Sequence, residues 1–248
     1  MVLCVQETEE FRDLIYRDYS HSHSTPVHEL LTRRAPFLKS VIARHFPPDR
    51  DARVLEIGCG YGALLYFARQ AGYRHLRGID RSPSQIELAH GLQMEDIVRQ
   101  GDAMELLAGE PDGSLDAIVS LDFVEHLRKS ELLEFAVQVA RTLKPGGRWI
   151  INTINAESPF FGRILYSDFT HEQAFTRGSI SQLLRASGFA RVQCFEGRVI
   201  VHSLKSAVRW VLWEFFRAVT CLWMLAEFGT ARGTIISQCF LVVAEKER

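Results

Sequence analysis

At 248 residues, with 47% apolar and 24% charged residues, the chain is long enough for one large α/β domain with a sizeable core. Its formal net charge of -1 lacks the basic excess of proteins that grip polyanions, so nucleic acid is not an expected partner. The five cysteines (Cys4, Cys59, Cys194, Cys221 and Cys239) are odd in number, far apart and without a CxxC pair, which argues against a disulfide framework and a zinc knuckle.

Reduced thiols, and a start that carries acids and no long apolar core, lead us to expect a cytoplasmic protein without a secretory signal. No run of about 18 uncharged apolar residues predicts a spanning helix. Residues 6–19 and 26–45 read as helices, the second opened by Thr25-Pro26 and stopped by Pro47-Pro48. His21 and His23 lie in the polar connection between them and read as solvated. From residue 53 the rhythm changes to short apolar strands alternating with amphipathic helices. Strands are expected at Arg53–Ile57, Leu76–Asp80, Ile97–Gln100, Leu115–Ser120, Arg148–Thr153, Arg191–Glu196 and Ile235–Ala244. Helices are expected at Ala63–Ala71, from Ser82-Pro83 to His90, over Ser130–Leu143 and over Ser179–Ser187. This alternation predicts a mostly parallel sheet covered by helices on both faces. The chain therefore divides into an N-terminal helical cover over 1–50 and an α/β domain over 51–248, with an insertion at 204–228.

The first strand runs straight into Gly58-Cys59-Gly60-Tyr61-Gly62 and then a helix. In open α/β sheets, ligands bind beyond the carboxyl ends of strands, where glycines let the backbone come close. Alone, such a loop serves an ordinary turn as readily as a ligand. Asp80, 18 residues beyond Gly62, ends the second strand where an acid can accept from both ribose hydroxyls of an adenosine. Gly101-Asp102-Ala103 follows the third strand, within reach of an adenine edge. Asp80 as a helix-start acid and Asp102 as a turn former are the plainer alternatives.

The run LEIGCGYG, GIDRSPSQIELA, GDAMELL, LDAIVSLDFVEHL and LKPGGRWIINT resembles the class I S-adenosylmethionine-dependent methyltransferases over about residues 53–245. The resemblance implies a Rossmann-like, seven-stranded, mostly parallel α/β sheet whose last strand is antiparallel. It assigns Gly58, Cys59, Gly60 and Gly62 to the methionine end of the cofactor, with Glu56 as the nearby acid. Asp80 goes to the ribose, Asp102 and Ala103 to the adenine, and Leu121 to the border of the sulfonium, with Arg81 also at the cofactor. A nicotinamide dehydrogenase shares the glycine spacing, but the Glu56, Gly101-Asp102 and Lys144–Gly147 features have no role in that fingerprint. A binding module that keeps the cofactor fold without chemistry finds no support in damaged motifs.

Asp122, Glu125 and His126 follow the fourth strand, and a helical turn there would put all three on one face. Asp168-Phe169-Thr170-His171-Glu172 follows the fifth strand and can fold over the same edge. Three uses are open. The group braces a helix; or Glu125, His126 or His171 handles the proton of an acceptor hydroxyl; or Asp122, Glu125, His126 and His171 hold Mg²⁺, Mn²⁺ or Zn²⁺. The last spacing resembles small-RNA 2′-O-methyltransferases and, more loosely, ubiquinone-pathway O-methyltransferases. The acceptor expected is a hydroxyl of a small molecule, glycan or lipid-linked sugar, with metal-assisted methylation of an RNA end as the alternative. The aromatic insertion at 204–228, with Trp210, Trp213 and Trp223, packs on the sheet, pairs with a second copy in a homodimer, or rests on a membrane surface.

Overall fold

A computed structural model describes residues 12, 14, 15, 27–197, 200, 201 and 203–248. The expected helix at 6–19 (apart from residues 12, 14 and 15), the Thr25-Pro26 cap, His21 and His23 lie outside them. The described elements run α1 (Val27–His45), β1 (Arg53–Ile57), α2 (Ala63–Gln70), β2 (His75–Asp80), α3 (Pro83–His90), β3 (Val98–Gln100), α4 (Ala103–Gly109) and β4 (Leu115–Leu121). They continue with α5 (Lys129–Thr142), β5 (Leu143–Ile154), α6 (Phe161–Leu165), α7 (Arg177–Ala186), β6 (Phe189–Glu196), α8 (Leu204–Phe228) and β7 (Cys239–Lys246).

The seven strands form one sheet in the order β3-β2-β1-β4-β5-β7-β6. All neighbours pair in parallel except β7, which runs antiparallel to both β5 and β6. Chain order grows outward in one direction from β1 to β3 and in the other from β4 to β5, with β7 inserted before β6, so β1 and β4 flank the switch point. A crevice there at the carboxyl edge is the standard ligand position of such sheets.

The central strands are apolar at successive residues because both faces are covered. Val54, Val119, Ile150 and Val243 join one core with α1, α2 and α3. Leu55, Ile118, Trp149, Ile151 and Val242 point the opposite way and join a second core with α4, α5 and α7. Trp149 is fully buried there, packed on Phe135 and Phe189 at ring separations of 5.5 and 6.0 Å, and its indole N–H donates to Ser120 Oγ at 3.1 Å.

Three features depart from expectation. The Lys144–Gly147 turn lies inside β5 as an irregularity, with pairing slipping between Leu115/Leu143 and Ala117/Arg148. Gly146 takes φ 75° there, and a side chain on Gly147 would meet the Lys144 carbonyl at 2.8 Å. The buried run Ile235–Ser237 is not ladder strand. Asn155 Nδ2 donates to the carbonyls of Ile235 and Ser237, and Glu196 Oε1 accepts from Ile236 N–H, so side chains replace the ladder. α4 was not expected as a helix; Asp102 creates it by capping the N–H groups of Met104 and Glu105.

Trp149→Ala is expected to cost on the order of 3–5 kcal/mol through the cavity it opens. Urea unfolding should show a lower midpoint with an unchanged slope.

Candidate active site

A cavity of about 480 Å³ opens at the switch point, a size that suits a cofactor. Glu56, Gly58, Cys59, Gly60, Asp80, Arg81, Asp102, Ala103 and Leu121 all line it. Gly62 sits behind the wall as the residue before α2. The loop folds this way because Gly58, Gly60 and Gly62 all take positive φ, at 70°, 52° and 75°. A side chain on Gly58 would lie 2.5 Å from the ring of Phe123, and one on Gly62 would strike Val98 at 2.8 Å. Gly78 is held small for the same reason, since Leu65 and the Cys59 thiol close in on it.

Asp80 is tied into this loop. Its Oδ2 accepts from Gly60 N–H at 2.7 Å and its Oδ1 from Ser82 N–H at 2.9 Å. Burial still raises its carboxyl above the usual range, those backbone bonds opposing the shift. Asp102 spends Oδ1 on capping α4, which presents Ala103 to the cavity. Glu56 is 3% exposed and its Oε2 has no hydrogen-bond partner among the described residues. Burial drives its carboxyl well above the normal range, with Arg34 opposing and Asp80 and Asp122 adding to the effect. The unpartnered Oε2 leaves an unsatisfied acceptor in a residue that lines the cavity.

The acceptor side is arranged differently from expectation. Asp122 takes φ 55°, a left-handed conformation, and the following turn at Val124–His126 is a short 3₁₀ segment. Asp122, Glu125 and His126 therefore do not share a helical face. Asp122 accepts from Asn152 Nδ2 at 2.6 Å and pairs with Arg34 at 3.0 Å, bridging α1 to β5. Glu125 turns inward; its Oε2 accepts from Thr153 Oγ1 at 3.1 Å, and burial beside Asp122 pushes its pKa up to about 8. Among the described residues, the group close enough to hold one ion is His126, Asp168 and His171, whose ligand atoms lie within 4.8 Å of one another. Asp122 and Glu125, expected as ligands, are not in it; their oxygens are engaged by Asn152, Arg34 and Thr153.

That cluster has a defined proton arrangement. Thr170 Oγ1 donates to Asp168 Oδ1 at 2.6 Å, so it accepts from His126 Nδ1–H at 2.8 Å. Nδ1 of His126 then carries the proton and Nε2 the lone pair. Burial, with His171 nearby, lowers the His126 pKa to about 4 and keeps the ring neutral. His171 Nδ1 contacts the carbonyls of Ile164 and Leu165, at 3.0 and 3.2 Å, and must be the donor. The two rings lie 4.7 Å apart. The loop is pinned by the backbone N–H groups of Glu172 and Gln173, both donating to the Glu125 carbonyl. Only His126 of this group reaches the cofactor cavity.

A profile of a methyltransferase domain matches residues 30–194. The chain belongs to the methyltransferase domain family. Its class I, S-adenosylmethionine-dependent character is consistent across relatives and fold. A ubiquinone biosynthesis O-methyltransferase of Maricaulis maris is 31% identical over 147 residues, covering 55% of this chain and 56% of that protein. One from Xylella fastidiosa is 34% identical over 139 residues, covering 54% and 53%. The chain thus spans about half the length of the curated relatives it matches. A SAM-dependent methyltransferase structure from Archaeoglobus fulgidus superposes with TM-score 0.64 at 22% identity, covering 93% of this chain and 99% of that one. Phosphoethanolamine N-methyltransferase 2 of Haemonchus contortus, with S-adenosyl-L-methionine, gives 0.61 at 15%, covering 94% and 60%.

S-adenosylmethionine fits the residues of this methyltransferase. The orphaned Glu56 oxygen matches an α-ammonium, and the buried Asp80 carboxylate matches vicinal hydroxyls. Three parts of the site were not anticipated from sequence. Arg34 reaches the cavity from α1, Thr170 connects Asp168 to His126, and Asp168 takes the ligand position expected of Asp122 or Glu125. Asp168 and Thr170 were read only as members of the loop that follows the fifth strand. Nothing in α1 distinguishes Arg34 from Arg33.

Glu56→Gln should have opposite effects on stability and binding. The folded chain holds a proton on Glu56 that the unfolded chain releases, so this residue lowers stability progressively as pH rises above the ordinary glutamate range. The substitution should therefore raise the apo melting temperature near pH ~8 with a difference that shrinks toward pH ~4. Calorimetry should show S-adenosylmethionine binding weakened on the order of 10- to 100-fold.

Proposed function

We propose that this methyltransferase transfers the methyl group of S-adenosylmethionine to a hydroxyl of a hydrophobic small-molecule acceptor. The observation that carries this reading is the His126–Thr170–Asp168 relay beside the cofactor cavity. The relay orients a neutral imidazole so that Nε2 can take a hydroxyl proton, the need that distinguishes an oxygen acceptor from a free amine. The relatives named ubiquinone biosynthesis O-methyltransferases support an oxygen acceptor and a small molecule. They lend no support to an RNA end.

The cofactor supplies an electrophilic methyl carbon on a positively charged sulfur. Glu56, the glycine loop and Asp80 would hold it so as to present that carbon to an acceptor oxygen for in-line displacement, the C–O bond forming as the C–S bond breaks and its electron pair returns to sulfur. The hydroxyl proton passes to His126 Nε2, leaving a methyl ether and S-adenosylhomocysteine. Asp168, through Thr170, stabilises the imidazolium formed. Leu121 and Phe123 border the cavity with apolar surface, and alignment of the two substrates supplies much of the rate.

A second reading rests on the clustering of His126, Asp168 and His171. Two neutral nitrogens and one carboxylate oxygen suit a divalent ion such as Mg²⁺ or Mn²⁺, which would acidify the hydroxyl in place of a protein base.

Two measurements separate these readings. His126→Ala should lower kcat by about 10²–10⁴-fold and Thr170→Val by about tenfold, with S-adenosylmethionine affinity unchanged. An undiminished His126→Ala rate would end both readings. Exhaustive chelation should leave activity intact if His126 is the base, whereas loss restored by Mn²⁺ or Mg²⁺ would establish the ion.

A further inference from the structure

We propose that α8 docks this protein on a membrane surface, with its uniformly apolar side in the interfacial layer and its mixed side, held by an ion pair, against the protein. This does not depend on the identity of the acceptor. The helix is mounted inside out. Leu204, Val208, Val211, Phe215, Val219 and Leu222 are each at least half exposed. Its only buried residue is Ser206, and the half-buried positions on that side mix Glu214, Arg217 and Thr220 with Trp213, Cys221 and Met224. Arg217 Nε donates to Glu196 Oε2 at 2.8 Å, and Glu196 is nearly buried at the end of β6. That ion pair fixes the orientation and leaves the apolar side outward. A helix covering only its own domain would be mounted the other way round.

The occupant follows from the width of the apolar arc. At 3.6 residues per turn, an arc of roughly 140° free of charged and polar residues runs the full 25-residue length, about 37 Å. Trp223, 68% exposed, lies at one border of the arc, where an amphipathic ring favours a membrane–water boundary. Lys205 and Arg209 flank the same arc near its start, placed to reach anionic headgroups. Pairing with a second copy along a single helix–helix seam would cover only part of an arc this wide. No helix among the described residues is long and apolar enough to cross a membrane, so α8 lies on the surface. Phe160 and Tyr166, 71% and 83% exposed, follow β5 on the carboxyl edge from which α8 also emerges. The cofactor cavity opens on that edge, so docking would bring the acceptor entrance to the membrane side.

The test is flotation of the full chain with phosphatidylcholine vesicles, with and without phosphatidylglycerol, alongside the Phe215→Glu/Leu222→Glu variant. Binding of S-adenosylmethionine by both proteins verifies folding. The wild type should float, more strongly with the anionic lipid, and the variant should partition at least tenfold less. Failure of the wild type to float, or equal flotation of the variant, would overturn the proposal. A wild-type dimer in sedimentation that the variant dissociates, without flotation, would assign the face to a second copy instead.

Discussion

The reversal of strand order between β1 and β4 is the constraint on which the site depends. It parts the crossover connections at the carboxyl edge and leaves a crevice that no side chain fills. The glycine loop then lines one wall, and Asp80 locks the loop through Gly60 N–H. On the other wall, the left-handed backbone at Asp122 ends β4 and starts the turn that carries His126. The two walls meet where Phe123 lies against Gly58, a contact that only a glycine permits.

The electrostatics of the crevice fit a cationic donor. Glu56, Asp80 and Asp122 gather there, with Arg34 as a counter-charge and Glu125 buried behind Asp122. Burial among like charges holds Glu56 and Glu125 toward their protonated forms, with Glu125 pushed up to about 8. A sulfonium and an ammonium entering this space relieve a field that the apo protein bears at a cost in stability. His126 is subject to the opposite effect, since burial removes its proton and leaves a neutral base.

Much of the cofactor half was legible in the sequence because it depends on local backbone requirements. Glycines at positive φ and an acid ending β2 each leave a mark within a few residues, whereas the cap that Asp102 places on α4 was read only as a turn. The acceptor half was less legible. The residues after Ile154 were written without a strand-helix period, and the pairing of Thr170 with His126 spans 44 positions. The expected shared face of Asp122, Glu125 and His126 failed at one backbone angle, which a periodicity argument does not see. The α8 boundaries were readable from composition, but its inverted mounting depends on Glu196, a residue on another strand.

The central claim is that the acceptor atom is oxygen. The most direct measurement is mass spectrometry and NMR of products formed with S-adenosylmethionine labelled at its methyl carbon and a panel of catechols, phenols and amines. The account predicts the labelled carbon on oxygen, with one S-adenosylhomocysteine released for each methyl ether formed. Label on nitrogen or carbon, with the hydroxyl compounds untouched, would contradict it.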